Sequence, residues 1–92
     1  MALMTPTAVK TALKSLKGWR LHDGKEIRKE FPHKNFVGAM GFVNAVAILA
    51  ERSNHHPDID IRYSTVLLSL STHSEGGVTE KDITLAREIN NL

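Results

Sequence analysis

The chain has 92 residues, 41% apolar and 24% charged, with no cysteine; it has room for one domain and excludes disulfides, thiolate metal sites, iron–sulfur clusters and cysteine nucleophiles. Net charge is +2, yet residues 1–50 carry eight basic and three acidic side chains and residues 51–92 four and seven. The basic groups are spread over several elements instead of forming a run, so the asymmetry reads as solvated surface and no direct nucleic-acid partner is expected. Met1–Met4 is uncharged and too short to be the apolar part of a secretory leader, which makes the cytoplasm the expected location.

Thr5-Pro6 has the form of an N-cap followed by proline in the first helical turn. Ala8, Ala12 and Leu16, with Val9 and Leu13 beside them, continue a helix to a stop at Gly18. Trp19–His22, the turn Asp23-Gly24 and Lys25–Phe31 read as a β-hairpin. Ile27, Lys29 and Phe31 share one face, and Lys29 interrupts its apolar character. Asn35 caps a second helix running to about Arg52. Its Phe36–Ala50 stretch is shorter than the about 20 apolar residues of a bilayer span and closes on Glu51-Arg52, so no membrane partner is expected. With only Asn44 polar in that stretch, both faces of the helix should be covered, most simply by another subunit, and Gly38 and Gly41 suggest close helix packing. Ile59, Ile61 and Tyr63 alternate with Asp58, Asp60 and Arg62; Ser64-Thr65 then leads into Val66–His73, a second hairpin. After Gly76-Gly77, Thr79-Glu80-Lys81-Asp82 resembles a capping box opening a last helix with Ile83, Ala86 and Ile89 inward. The order α-β-β-α-β-β-α disfavours parallel winding. It predicts an α+β fold, a four-stranded antiparallel sheet with helices packed on one face.

Five histidines stand in the chain. His22 and His33 have no evident partners and are assigned surface or capping roles. His55 and His56 follow the second helix and precede Pro57, while His73 ends the last strand. Pairing of the last two strands would return His73 to the same end of the sheet. Imidazole titrates near pH about 6.5, so such a cluster can hold one ring protonated and another neutral. Three imidazoles also suit Zn²⁺, but adjacent His55 and His56 tend to diverge and no helical two-histidine spacing is present. Glu51, one turn before His55, and Asp82 are the carboxylates best placed to orient a histidine. No phosphate-binding glycine loop or serine nucleophile elbow occurs.

Glu51, His55-His56-Pro57, Tyr63, Ser71-Thr72-His73, Gly77 and the Thr79–Ala86 run stand in a register that resembles the pterin-4a-carbinolamine dehydratase family from Trp19 to the end. The resemblance implies dehydration of 4a-hydroxytetrahydropterin to quinonoid dihydropterin in tetrahydropterin recycling, with no metal or other cofactor, by subunits joined into homodimers or homotetramers. It implies that His55, His56 and His73 act as acid and base around the pterin and that Asp82 supports them. Glu51, Pro57, Ser71, Thr72, Ser74 and Glu75 would then lie about the substrate. Family members often carry an aromatic residue shortly after the proline, where this chain has Ile59. The alternative the resemblance allows is a binding module on the same fold, either a dimerisation cofactor of a transcription factor or an assembly chaperone.

Overall fold

The computed structural model describes residues 2–92, which fill an envelope of 37 × 23 × 20 Å. In chain order it comprises α1 (Pro6–Leu13), β1 (Arg20–His22), β2 (Glu26–Pro32), α2 (Phe36–Ser53), β3 (Asp58–Arg62), β4 (Thr65–Leu70), a 3-10 turn (His73–Glu75) and α3 (Glu80–Asn90). The four strands are antiparallel in the order β1-β2-β4-β3. Ile27, Val66, Leu68 and Leu70 point from the sheet into the core, where they meet Val9 and Leu16, Ala39, Val46 and Leu49 of α2, and Ile83, Leu85, Ala86 and Ile89 of α3. The opposite face presents Glu26, Arg28, Asp58, Asp60, Leu67 and Ser69 to an open groove. The expected α+β architecture with helices on one face is therefore the one the chain adopts.

Each helix begins at a side chain that satisfies an otherwise unpaired backbone N–H. Thr5 accepts from Ala8, Asn35 from Gly38 and Thr79 from Lys81, and such caps are each worth about 0.5–2 kcal/mol. The first helix is shorter than its sequence pattern suggests: it ends at Leu13, and Lys14, Ser15 and Leu16 continue through tighter bonds to residues three back. That tightening rotates Leu16 into the core beside Val9 and leaves Ala8 exposed.

Lys29 does lie on the core face of β2, and its surroundings explain how it is tolerated. Its ammonium donates to the Lys17 carbonyl and to Asn90 Oδ1, both at 2.8 Å, and sits 4.7 Å from the centre of the Phe31 ring. Asn90 Oδ1 also accepts from Trp19 Nε1 at 2.9 Å, so one amide ties the residue before β1, strand β2 and α3 together. Both acceptors are uncharged. Burial, with nearby Lys17 as a lesser cause, accordingly pushes the Lys29 pKa below the ordinary lysine range. Gly18 adopts a φ of +87°, and a Cβ there would come within 2.7 Å of Lys29 Cε. This is the one glycine whose lack of a side chain serves both backbone and packing.

Two strand boundaries differ from expectation. Tyr63 is not a strand residue; it takes a left-handed conformation (φ 52°) in the tight turn between β3 and β4, with its ring exposed. β4 stops at Leu70, and His73 opens the 3-10 turn instead of ending the strand, because Thr72 closes a bridge with Gly77 and its carbonyl receives the Glu75 and Gly76 N–H groups.

The α2 helix is long and apolar enough to cross a membrane by length and composition alone, yet this chain covers only one of its faces. Ala39, Val46, Leu49 and Ala50 are buried, whereas Phe36, Val37 and Ile48 are exposed. Within this chain neither Gly38 nor Gly41 packs against another helix. Gly38 lies near its own capping residue Asn35, and a Cβ at Gly41 would meet nothing within 4 Å. Gly41 lies on the same exposed face as Val37, Asn44 and Ile48.

Candidate active site

The site is assembled by two chain reversals and a helix start. At the C-terminal end of α2, Asn54 takes the left-handed conformation and the His55 N–H bonds to the Ala50 carbonyl at 3.1 Å, a Schellman closure that turns the chain sharply. His55 is thereby swung toward α3. The β3–β4 pairing, with Asp58 opposite Ser69, then carries Ser71–Ser74 back to the same end of the sheet. The N-terminus of α3 arrives there third, fixed by the Thr79–Asp82 capping box.

These segments enclose a cleft of about 420 Å³ lined by Asn54, His55, His56, Ser71, Thr72, His73, Ser74 and Lys81. Its size falls within the roughly 300–1,000 Å³ common for small-molecule sites. The three histidines singled out from the sequence do meet on one cleft. Their environments differ. His55 is nearly buried, with Nε2 2.5 Å from Oδ1 of a wholly buried Asp82. His56 is half exposed, and Glu51 Oε1 stands 3.8 Å from its Nε2. His73 is exposed at the start of the 3-10 turn. Among the described residues, no group of three or more His, Asp and Glu side chains is arranged to hold a metal ion.

Asp82 is the centre of this arrangement. Its Oδ2 accepts from the Thr79 N–H at 2.8 Å and the Thr72 hydroxyl at 2.9 Å, while Oδ1 faces His55. One side chain thus completes a helix cap and holds the imidazole. The buried carboxylate thus accepts from one hydroxyl and one backbone N–H and turns its other oxygen to an imidazole nitrogen.

Other residues marked from the sequence lie differently. Glu51 is directed toward His56, not His55, and the pair is so exposed that it contributes little. Ser71 and Ser74 line the cleft, Thr72 lies buried in its wall, and Pro57 and Glu75 are outside its lining. Ile59 is on edge strand β3, opposite core residue Leu68 and so on the helix-covered side of the sheet, partly exposed at its edge and outside the lining of the cleft. His22 has a partner after all, Asp23 Oδ2 at 3.2 Å, and His33 lies against Phe42 with ring centres 4.9 Å apart and planes inclined by 40°. Asn54, Lys81 and the Thr79 hydroxyl were not marked as site residues. Thr79 was read only as a cap, and nothing in its spacing revealed that its hydroxyl would also meet Thr72 at 2.7 Å.

The scaffold brings three imidazoles to one cleft and holds one of them against a buried carboxylate, an arrangement of groups suited to acid–base chemistry. The chain belongs to the pterin 4 alpha carbinolamine dehydratase family, whose model matches residues 2–92. It is 50% identical to a putative pterin-4-alpha-carbinolamine dehydratase of Acidobacterium capsulatum over 100% of this chain and 99% of the relative. Identity is 46% to the corresponding Thermomicrobium roseum protein, over 100% of this chain and 98% of the relative. Among solved structures it resembles a transcriptional coactivator/pterin dehydratase from Brucella melitensis, with a TM-score of 0.92 and 41% identity over 97% of this chain and 96% of that one. A pterin dehydratase-like protein described as a RuBisCO assembly factor in the alpha-carboxysome shares the fold, with a TM-score of 0.69 and 21% identity over 80% of this chain and 87% of that one.

Proposed function

We propose that the protein is a hydro-lyase that dehydrates 4a-hydroxytetrahydropterin to quinonoid dihydropterin, with the cleft around His55 and His73 as its active site. The observation that carries this reading is the convergence of three imidazoles on one cleft, one of them held by a buried carboxylate. Expelling hydroxide from C4a needs a proton donor at the leaving oxygen and a base that takes a proton from the ring system. Two histidines in different environments can divide those tasks. His55, held through Nε2, keeps Nδ1 as its available ring nitrogen. His73 faces solvent across the cleft and can exchange its proton with water between turnovers. His56, with Ser71 and Ser74, completes the binding surface, and no metal or cofactor takes part in the reaction as proposed. The binding-module alternative predicts a cleft that takes no pterin. Titration with a stable 7,8-dihydropterin, followed by NMR, is expected to move the signals of His55, His56, His73 and Ser71. Shifts confined to the open sheet face, or none, would overturn the placement.

The proposal includes one domain over residues 1–92, a cytoplasmic location, and association into a homodimer or homotetramer. The exposed stripe of Val37, Gly41, Asn44 and Ile48 on α2 supports the last point, since its small central glycine lets a second helix approach closely. Sedimentation equilibrium at micromolar concentration should show an oligomer that Ile48→Asp weakens. A folded wild-type monomer at that concentration would contradict it.

A further inference from the structure

We infer that Thr72 and Thr79 form a one-way chain of hydrogen-bond donors that sets the orientation of Asp82, the carboxylate against which His55 is held, so that Thr72 is a positioning residue of the site. The direction follows from counting protons. A carboxylate oxygen accepts, and Asp82 Oδ2 already does so from the Thr79 N–H, so the contact of 2.9 Å between Oδ2 and Thr72 Oγ1 requires the Thr72 proton to point at the carboxylate. A hydroxyl has one proton. The 2.7 Å contact between the two threonine oxygens must then be a bond donated by Thr79 to Thr72. Thr79 in turn accepts from the Lys81 N–H at 3.3 Å, so its oxygen is also satisfied. The order runs from the first turn of α3 through Thr79 and Thr72 to Asp82 Oδ2. It ends at Oδ1, which must accept from His55 Nε2.

Burial makes this order binding. Thr79 and Asp82 are wholly buried and Thr72 nearly so, and a buried hydroxyl or carboxylate left unpaired is costly. Reversing one bond would set two lone pairs or two protons against each other. Because Oδ1 of the carboxylate offers only lone pairs, the neutral His55 ring is held as the Nε2–H tautomer. Thr72 also joins this chain to the other side of the cleft. Its N–H bonds to the Gly77 carbonyl at 2.7 Å and its own carbonyl anchors the turn that begins with His73. One residue thus places both histidines, the first by its hydroxyl and the second by its backbone.

The catalytic consequence rests on the dehydratase reading, but the proton order does not. Nitrogen-15 NMR of the wild-type protein, at a pH where His55 is neutral, is expected to show a protonated Nε2 and an unprotonated Nδ1; the opposite pattern would overturn the inference whatever the activity. Thr72→Val keeps the side-chain shape and removes the donor. With the carboxylate less firmly oriented, the His55 Nε2–H resonance should shift or broaden and kcat should fall by about tenfold or more with KM little changed, while Thr72→Ser should restore both readouts. If a folded Thr72→Val retains the wild-type His55 Nε2–H resonance and wild-type kcat, Thr72 has no positioning role. An inactive wild type showing the expected tautomer would support the proton order while counting against the dehydratase reading.

Discussion

Replacing His73 or His55 by alanine is expected to lower the turnover of the carbinolamine by roughly 10²- to 10⁴-fold, the range that a positioned general acid or base supplies. The two substitutions should nevertheless differ in what else they change. His73 is exposed at the start of a turn whose hydrogen bonds are made by backbone groups, so its removal should leave thermal stability near that of the wild type. His55 is nearly buried against a wholly buried carboxylate, and removing it leaves Asp82 Oδ1 without its partner, so stability should fall together with activity. His56, half exposed and only loosely approached by Glu51, should act mainly on substrate affinity. Steady-state kinetics and thermal melts of the three variants test this ranking. Turnover within a few-fold of wild type in both folded His73→Ala and His55→Ala would remove the acid–base assignment.

Asp82 carries the second large effect. Asp82→Ala strips the acceptor from the Thr79 N–H, the Thr72 hydroxyl and His55 Nε2, and it dissolves the reciprocal half of the α3 capping box. The expected destabilisation is roughly 2–4 kcal/mol, a large share of the about 5–15 kcal/mol that holds a domain of this size. Asp82→Asn separates folding from chemistry. Its oxygen can still accept from Thr79 and Thr72, but its amide then faces His55 with a donor, so the imidazole must present an acceptor at Nε2 and move its proton to Nδ1. A folded Asp82→Asn protein with kcat reduced by roughly 10²-fold or more is the expected outcome, because the ring is then held in the wrong tautomer. Equal stability and equal activity in Asp82→Asn, measured by urea unfolding and by turnover, would show that the carboxylate does not hold the ring.

The sequence exposes some of this design and hides the rest, for physical reasons. Element order, the three helix caps and the return of His73 toward His55 are legible because caps and hairpins are local: Thr79 and Asp82 are separated by one turn, and a paired β3–β4 hairpin must return to its starting end. What is hidden depends on contacts between distant segments. Lys29 looks like a defect in a strand until Asn90 and the Lys17 carbonyl, from opposite ends of the chain, reach its ammonium. The Thr72 and Thr79 hydroxyls look like a strand end and a cap, and their joint role appears only when the turn after β4 folds back onto α3. Glu51 illustrates the limit of helical spacing. Although one turn before His55, it is directed to His56, because the left-handed Asn54 takes His55 off the helical path. The composition of α2 suggests cover on both faces, whereas one chain supplies only one.

The most direct measurement of the central claim is stopped-flow absorbance of 4a-hydroxytetrahydropterin generated in situ, with the purified protein present at trace concentration. Acceleration of its loss over the spontaneous rate by the wild type, with no acceleration by His73→Ala, is the predicted result. A wild-type protein that is folded and oligomeric yet leaves the spontaneous rate unchanged would contradict the account and favour a binding module on the same fold.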